Sequence, residues 1–187
     1  MAGVAVVRAL GDLADAPFEL KWPNDVMLRM TTGEASAPSW RKLAGILSEA
    51  ATEGGTVRSI VIGIGINLRR SEAPPDVAAR MIAIGDVLPP GWASTAALQA
   101  IVTSLLIRLR EGTSMLAAGL AAEVRDEWKR RAPSVEGTHV RWRAQGATYE
   151  GRSAGIDDDG ALRVRVGAVV RTIRAGDVDW LLEPGLA

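Results

Sequence analysis

Residues 41–68, RKLAGILSEAATEGGTVRSIVIGIGINL, hold the reading on which the fold turns. Residues 43–47 and 59–68 are aliphatic and β-branched runs without clean alternation, which predicts strands buried on both faces. A lysine at the mouth of such a strand is unusual, because lysine is almost never buried without a partner. Two readings of Lys42 fit. Arg41 and Lys42 are the solvated end of the strand, or Lys42 is a compact cation placed where a carboxylate and a phosphate meet. Two anions repel, so an enzyme that makes an acyl-adenylate needs such a charge. Gly45 then lets a flat ligand lie against the backbone.

Downstream, IGIGINL at 62–68 is only superficially a dinucleotide fingerprint. Leu68 stands where the third glycine belongs, and no helix obviously follows. Two glycines in an apolar strand instead point to close approach of a ligand or another backbone. Asn67, at the strand's end, is either a turn residue or a ligand for phosphate or hydroxyl.

Upstream, Val4, Val7, Leu10 and Leu13 recur at helical spacing, predicting an amphipathic helix over 3–14. It begins without a capping residue, as though cut from a longer element. Phe18, Leu20 and Trp22 alternate with polar residues, and Pro23-Asn24-Asp25 supplies turn chemistry before Val26-Met27-Leu28, so a hairpin is expected. Its KWPND turn is either a plain turn with a snorkelling Lys21 or a device presenting an amide and a carboxylate to a metal-bound phosphate or ribose.

Residues 31–39 read as a mobile loop, 71–75 as a second loop and 77–84 as a short helix. Ser94 or Thr95 caps a helix from Ala96, whose face is Leu98, Ile101, Val102, Leu105, Leu106 and Leu109. A further helix is expected over 114–131. From Val135 short alternating segments separated by Gly- or Asp-rich turns predict a small all-β barrel of about 50 residues.

Composition narrows the function classes. Basic and acidic residues balance at 22 each, so no overall attraction to nucleic acid or membrane is expected. Cysteine is absent and His139 is the single histidine, which excludes disulfide scaffolds, thiolate sites, cysteine nucleophiles and His-based triads. Asp157-Asp158-Asp159 lacks the spacing of a calcium loop and reads as a solvated turn. The six Trp are expected in the core rather than as stacking platforms. A soluble, cytoplasmic protein is expected.

In order, KWPND, a variable loop, RKLAGILSEA and SIVIGIGINL closely resemble biotin–protein ligases, and AGVAVVRAL resembles the helix that precedes KWPND there. GRSAGIDDDGAL and the closing IRAGDVDWL look like that family's SH3-like C-terminal domain. The resemblance implies an α/β (α+β) fold: part of a class II synthetase-like catalytic domain over 1–134, then an SH3-like barrel over 135–187. It implies ATP and biotin as substrates, Mg²⁺ as the ion and a biotin carboxyl carrier protein as partner, with a homodimer as a further expectation. Lys42 would touch both the biotin carboxylate and the α-phosphate. Gly45, Ile46, Leu47 and Gly63 would wall the biotin pocket, and Asn24, Asp25 and Asn67 would face the nucleotide.

Members also carry an arginine-rich GRGRxGR-type loop upstream, and this chain is expected to begin after it, with little ligase activity alone. No winged helix-turn-helix is expected before the motifs, and no DNA-binding role is expected. The competing reading is a non-catalytic remnant that binds carrier or regulates; lipoate ligase chemistry fits the motif set less well. Uncovered strand edges predict marginal stability or self-association.

Overall fold

The computed structural model describes residues 1–30, 39–70, 72–88, 92, 95–144 and 146–181. The loop expected over 31–39, the start of the loop expected at 71 and the Ser94 cap fall outside them, the first but for Ser39.

Helix α1 (Ala2–Gly11) is not amphipathic as expected. Eight of its ten residues are buried, because it lies between the sheet made by β1 (Phe18–Lys21) and β2 (Asp25–Met30) on one side and α3 (Thr95–Ala117) and α4 (Ala121–Arg130) on the other. A helix apolar but for Arg8 suits a position covered on most sides, with Arg8 left partly exposed to pair with Glu111. Close approach is built in: a side chain at Gly3 would meet Leu20 Cδ2 at 2.9 Å.

The hairpin forms as expected, with Lys21 paired to Asp25. It continues into β3 (Ser39–Glu53) and β4 (Thr56–Ile66), giving an antiparallel sheet of order β1-β2-β3-β4. Gly54 and Gly55, both at positive φ, close a two-residue turn between the long strands, the backbone that Gly-Gly favours.

Burial on both faces of β4 is not found. Val57, Ile60 and Val61 are exposed on it, and Leu47 on β3 is 61% exposed. β4 is the sheet's outer strand, and α1 packs over β1 and β2. Period alone cannot tell a doubly covered strand from an apolar one whose cover stops short.

Between the motifs and the helices, α2 (Pro75–Ala78) and a 3-10 turn at Ile84–Asp86 replace the single helix expected over 77–84. α3 runs to Ala117 and the chain breaks at Gly119 (φ +80°), so α4 starts later than expected. Only Ile101 of α3 is buried, and Val102 and Leu106 are exposed. No helix among the described residues is long and apolar enough to cross a membrane.

The C-terminal sheet is antiparallel, ordered β8-β7-β6-β5-β9, from β5 (Glu136–Ala144), β6 (Ala147–Ile156), β7 (Leu162–Val166), β8 (Val169–Ile173) and β9 (Val178–Trp180). It shares one buried apolar cluster with the first sheet. The Asp157–Gly160 turn, expected to be simply solvated, is where the sheets join. Asp157 Oδ1 accepts from the Asp159 and Ala161 amides, Arg125 pairs with Asp158, and Gly160 O accepts from the Trp22 indole at 3.0 Å.

An ionic knot ties α1 to α3. Asp12 accepts from Ser104 Oγ at 2.7 Å and from Arg108, which also pairs with Glu111. The Ser104 and Arg108 hydrogen bonds hold the Asp12 carboxyl below its ordinary range. A depressed carboxylate stabilises the fold above its unfolded pKa, and that contribution disappears as pH falls through the folded value. Asp12→Asn should therefore lower the melting temperature near about pH 6 and leave it unchanged near about pH 2; an equal loss at both would contradict this. Replacing Ile60 and Val61 together by lysine should suppress self-association in sedimentation while moving stability by no more than about 0.5 kcal/mol each.

Candidate functional site

Register places the site on one face of the first sheet. Opposed residues of an antiparallel pair share a face, and alternate residues along a strand do too. Asp25 opposes Gly45, Val26 opposes Ala44, and then Met27 opposes Lys42. Leu43 is thus the extra residue of a β-bulge, and the bulge brings Lys42 to the face of Gly45 and Asp25. In a regular strand, residues three apart would point to opposite faces.

The lysine side chain folds back over Gly45. A Cβ there would meet Lys42 Cε at 3.3 Å and Nζ at 3.4 Å, so glycine makes room for the protein's own cation. Nζ pairs with Asp25 Oδ1 at 2.6 Å, Asp25 being mostly buried and Lys42 half-exposed. The reading of Lys42 as a loose solvated end of the strand does not describe it.

The main chain at Lys42 is held on both sides. Its N–H donates to Arg80 O at 2.8 Å, and its carbonyl accepts from Ile82 N at 3.0 Å. Asn67 completes the clamp: Nδ2 donates to both Lys42 O and Ile82 O at 3.2 Å, and its own N–H donates to Leu43 O. Asn24 works alike, donating from Nδ2 to Ile46 O at 2.7 Å while its carbonyl accepts from Ile46 N–H. Both asparagines are therefore bracing residues, whatever else they meet.

Beside Lys42, Gly45 and Gly65 oppose each other, and so do Leu47 and Gly63. The result is a shelf nearly free of side chains, edged by Leu47. A Cβ at Gly63 would find only Leu47, at 3.9 Å. Ile46 alternates to the other face and is buried against α1, so the four residues expected around one ligand divide three to one. A cavity of about 480 Å³ runs past Asn24, Asp25, Ile46 and Leu47.

Sequence reading missed the opposite wall. A cavity of about 520 Å³ contains Asp25 and Lys42 together with Met27, Trp40, Asp179 and Trp180. Trp40 and Trp180 meet edge to face, their centroids 5.8 Å apart, and the Lys21 ammonium lies 5.6 Å from the Trp180 ring. Trp40 donates to Glu19, which also pairs with Arg29. Trp22 and Trp142 are core residues as expected, whereas Trp40 and Trp180 line this cavity. Alternation from Lys42 could have put Trp40 on the site face; nothing local marks Trp180, which comes from another sheet. No group of three His, Cys, Asp or Glu suited to a metal occurs among the described residues.

Helices on an antiparallel sheet, followed by a small all-β sheet, are an arrangement also seen in solved biotin protein ligases. The apo enzyme of Aquifex aeolicus superposes with a TM-score of 0.73 at 22% identity, over 95% of this chain and 72% of that one. Residues 1–67 match the Biotin/lipoate A/B protein ligase family, and residues 137–180 match the Biotin protein ligase C terminal domain. The biotin–[acetyl-CoA-carboxylase] ligase of Paracoccus denitrificans is 31% identical over 95% of this chain and 70% of its own length. The chain belongs to the biotin protein ligase family. It spans about half the length of the Bacillus subtilis bifunctional ligase/repressor BirA, at 26% identity.

The clamp predicts that Asn67→Ala, which leaves two carbonyls short of a donor, will cost about 1–3 kcal/mol in denaturant unfolding. An unmoved midpoint would show that Asn67 braces nothing.

Proposed function

We propose that this chain carries the adenylating half-site of a biotin protein ligase. The supporting observation is the Lys42 ammonium, fixed at 2.6 Å from Asp25 between the glycine shelf and the neighbouring cavities. In this reading residues 1–134 are the catalytic part and 135–187 the C-terminal domain, and the protein works in the cytoplasm.

Biotin lies on the shelf of Gly45, Leu47 and Gly63, with Ile46 supporting it from beneath. Its carboxylate oxygen attacks the α-phosphorus of ATP, the bond to the β-phosphate oxygen breaks, and pyrophosphate leaves with biotinyl-5′-AMP formed. Lys42 stands where both anions converge and offsets their repulsion, most strongly as charge develops in transfer. A carrier lysine, having lost its proton to solvent, then attacks the anhydride carbonyl carbon. The C–O bond to phosphate breaks and AMP departs.

Asn24 spends one N–H on Ile46 O and keeps the other, whereas Asn67 directs both N–H groups at backbone carbonyls and leaves the nucleotide only an amide oxygen. That atom repels phosphate but suits a ribose hydroxyl or Mg²⁺. Asp25 adds a carboxylate. With no metal cluster among the described residues, the ion would be held chiefly by the phosphates, the common arrangement for Mg²⁺. The Aquifex ligase has been solved in complex with biotin and ATP, in accord with these ligands.

One observation favours a second reading, a carrier-binding module without activation. Leu47 and the shelf stand open to solvent, and an adenylate needs cover from water. Biotin-dependent pyrophosphate release separates the two. The ligase reading expects release that Lys42→Ala reduces about a hundred- to thousandfold, the usual loss on deleting a group that stabilises transfer charge. Carrier binding with no release from the parent chain would establish the module instead.

A further inference from the structure

Three cavities are lined by Asp25, and two of them by Lys42 as well. One passes Asn24, Ile46 and Leu47. A second, of about 640 Å³, lies between the KWPND turn and the C-terminal sheet; Lys21, Lys42, Arg80, Arg141 and Arg143 outnumber its carboxylates Asp25, Asp177 and Asp179, a setting for anions. The third is the aromatic cavity of Trp40 and Trp180. Acyl transfer through an adenylate must accommodate an acyl chain, a nucleotide and an incoming amine. The first two cavities match the first two needs; the third shares Lys21, Asp25, Lys42, Arg80 and Asp179 with the second and differs from it in its indole walls.

We propose that the Trp40–Trp180 cavity admits the acceptor lysine, with the two indoles as walls for its methylene stem and Asp179 as the carboxylate that meets its ammonium. This rests on the ligase reading above. The walls are rigid: the indoles brace each other at 88°, and Glu19 accepts the Trp40 N–H. The Trp180 ring already receives one ammonium, that of Lys21, so its electrostatics suit a cation. Asp179 is exposed and has no ion pair among the described residues. Lys42, beside which the anhydride carbonyl would sit, lines the same cavity. Lys21 and Arg80 also line it, and the positive charge of the three favours loss of the incoming ammonium's proton beside the electrophile.

Trp180 and Asp179 lie on β9, in the C-terminal sheet, while Lys42 lies in the first. The C-terminal sheet thereby takes part in choosing the acceptor as well as stabilising the fold.

The test separates the two chemical steps. A carboxylase carrier domain with its acceptor lysine intact is titrated against the parent chain and against Trp180→Ala, Trp40→Phe and Asp179→Asn. Biotin-dependent pyrophosphate release reports adenylation, and transfer from synthetic biotinyl-5′-AMP reports the second step. Trp180→Ala should raise the carrier KM about tenfold or more, the loss typical of an aromatic anchor, and affect adenylation far less. Asp179→Asn should weaken the intact carrier about threefold and leave a carrier acetylated on that lysine unaffected. Parallel loss of both steps, or unchanged carrier affinity in every variant, overturns the proposal. If the parent chain releases no pyrophosphate, the ligase reading fails by itself, and calorimetric carrier affinities still decide whether these residues receive the lysine. Should Trp180→Ala fail to fold, Trp40→Phe and Asp179→Asn carry the same test.

Discussion

One extra residue in β3 sets up the rest of the site. The bulge at Leu43 brings Lys42 to the same face as Gly45 and Asp25, and without it the ammonium would point toward α1. A bulge leaves ladder groups without their regular partners, so it persists only where something else satisfies them. Arg80 O, Ile82 N–H and the Asn67 amide do this. The order of motifs in the chain therefore has a mechanical basis: GIGIN closes the clamp that RKLAG needs, and the residues at 80–82 supply its other jaw.

The glycines answer to different demands. Gly45 accommodates the protein's own lysine, while Gly63 and Gly65 clear a shelf. The Gly54-Gly55 pair has nothing to do with either and simply turns the chain. Apolar composition is similarly uneven in meaning. In α1 it reflects burial on all sides, and in β4 it faces solvent.

The two sheets are coupled through tryptophan. Trp22, inside the KWPND turn, donates to the Asp157–Gly160 turn, and Trp180 reaches back to Trp40 and Lys21. A short turn motif thus has a structural side, holding the C-terminal sheet, and a chemical side, presenting Asp25 to Lys42. Changes to Trp22 would disturb both, which makes it a poor probe of either.

Local patterns determined a good deal. Helical spacing in 3–14, alternation through Phe18, Leu20 and Trp22, turn chemistry at Pro23-Asn24-Asp25 and the short strands after Val135 all became the elements expected, since each depends on contacts a few residues apart. The ordered motifs also identified the family and singled out Lys42. Other matters were settled only in three dimensions: which face the lysine takes, whether an apolar strand is covered, that both asparagines brace backbone, and that Trp40 and Trp180 meet. Each turns on partners distant in sequence or on a single-residue register shift. A period-two pattern carries no record of either, because a slip of one residue reverses every face while leaving the composition unchanged.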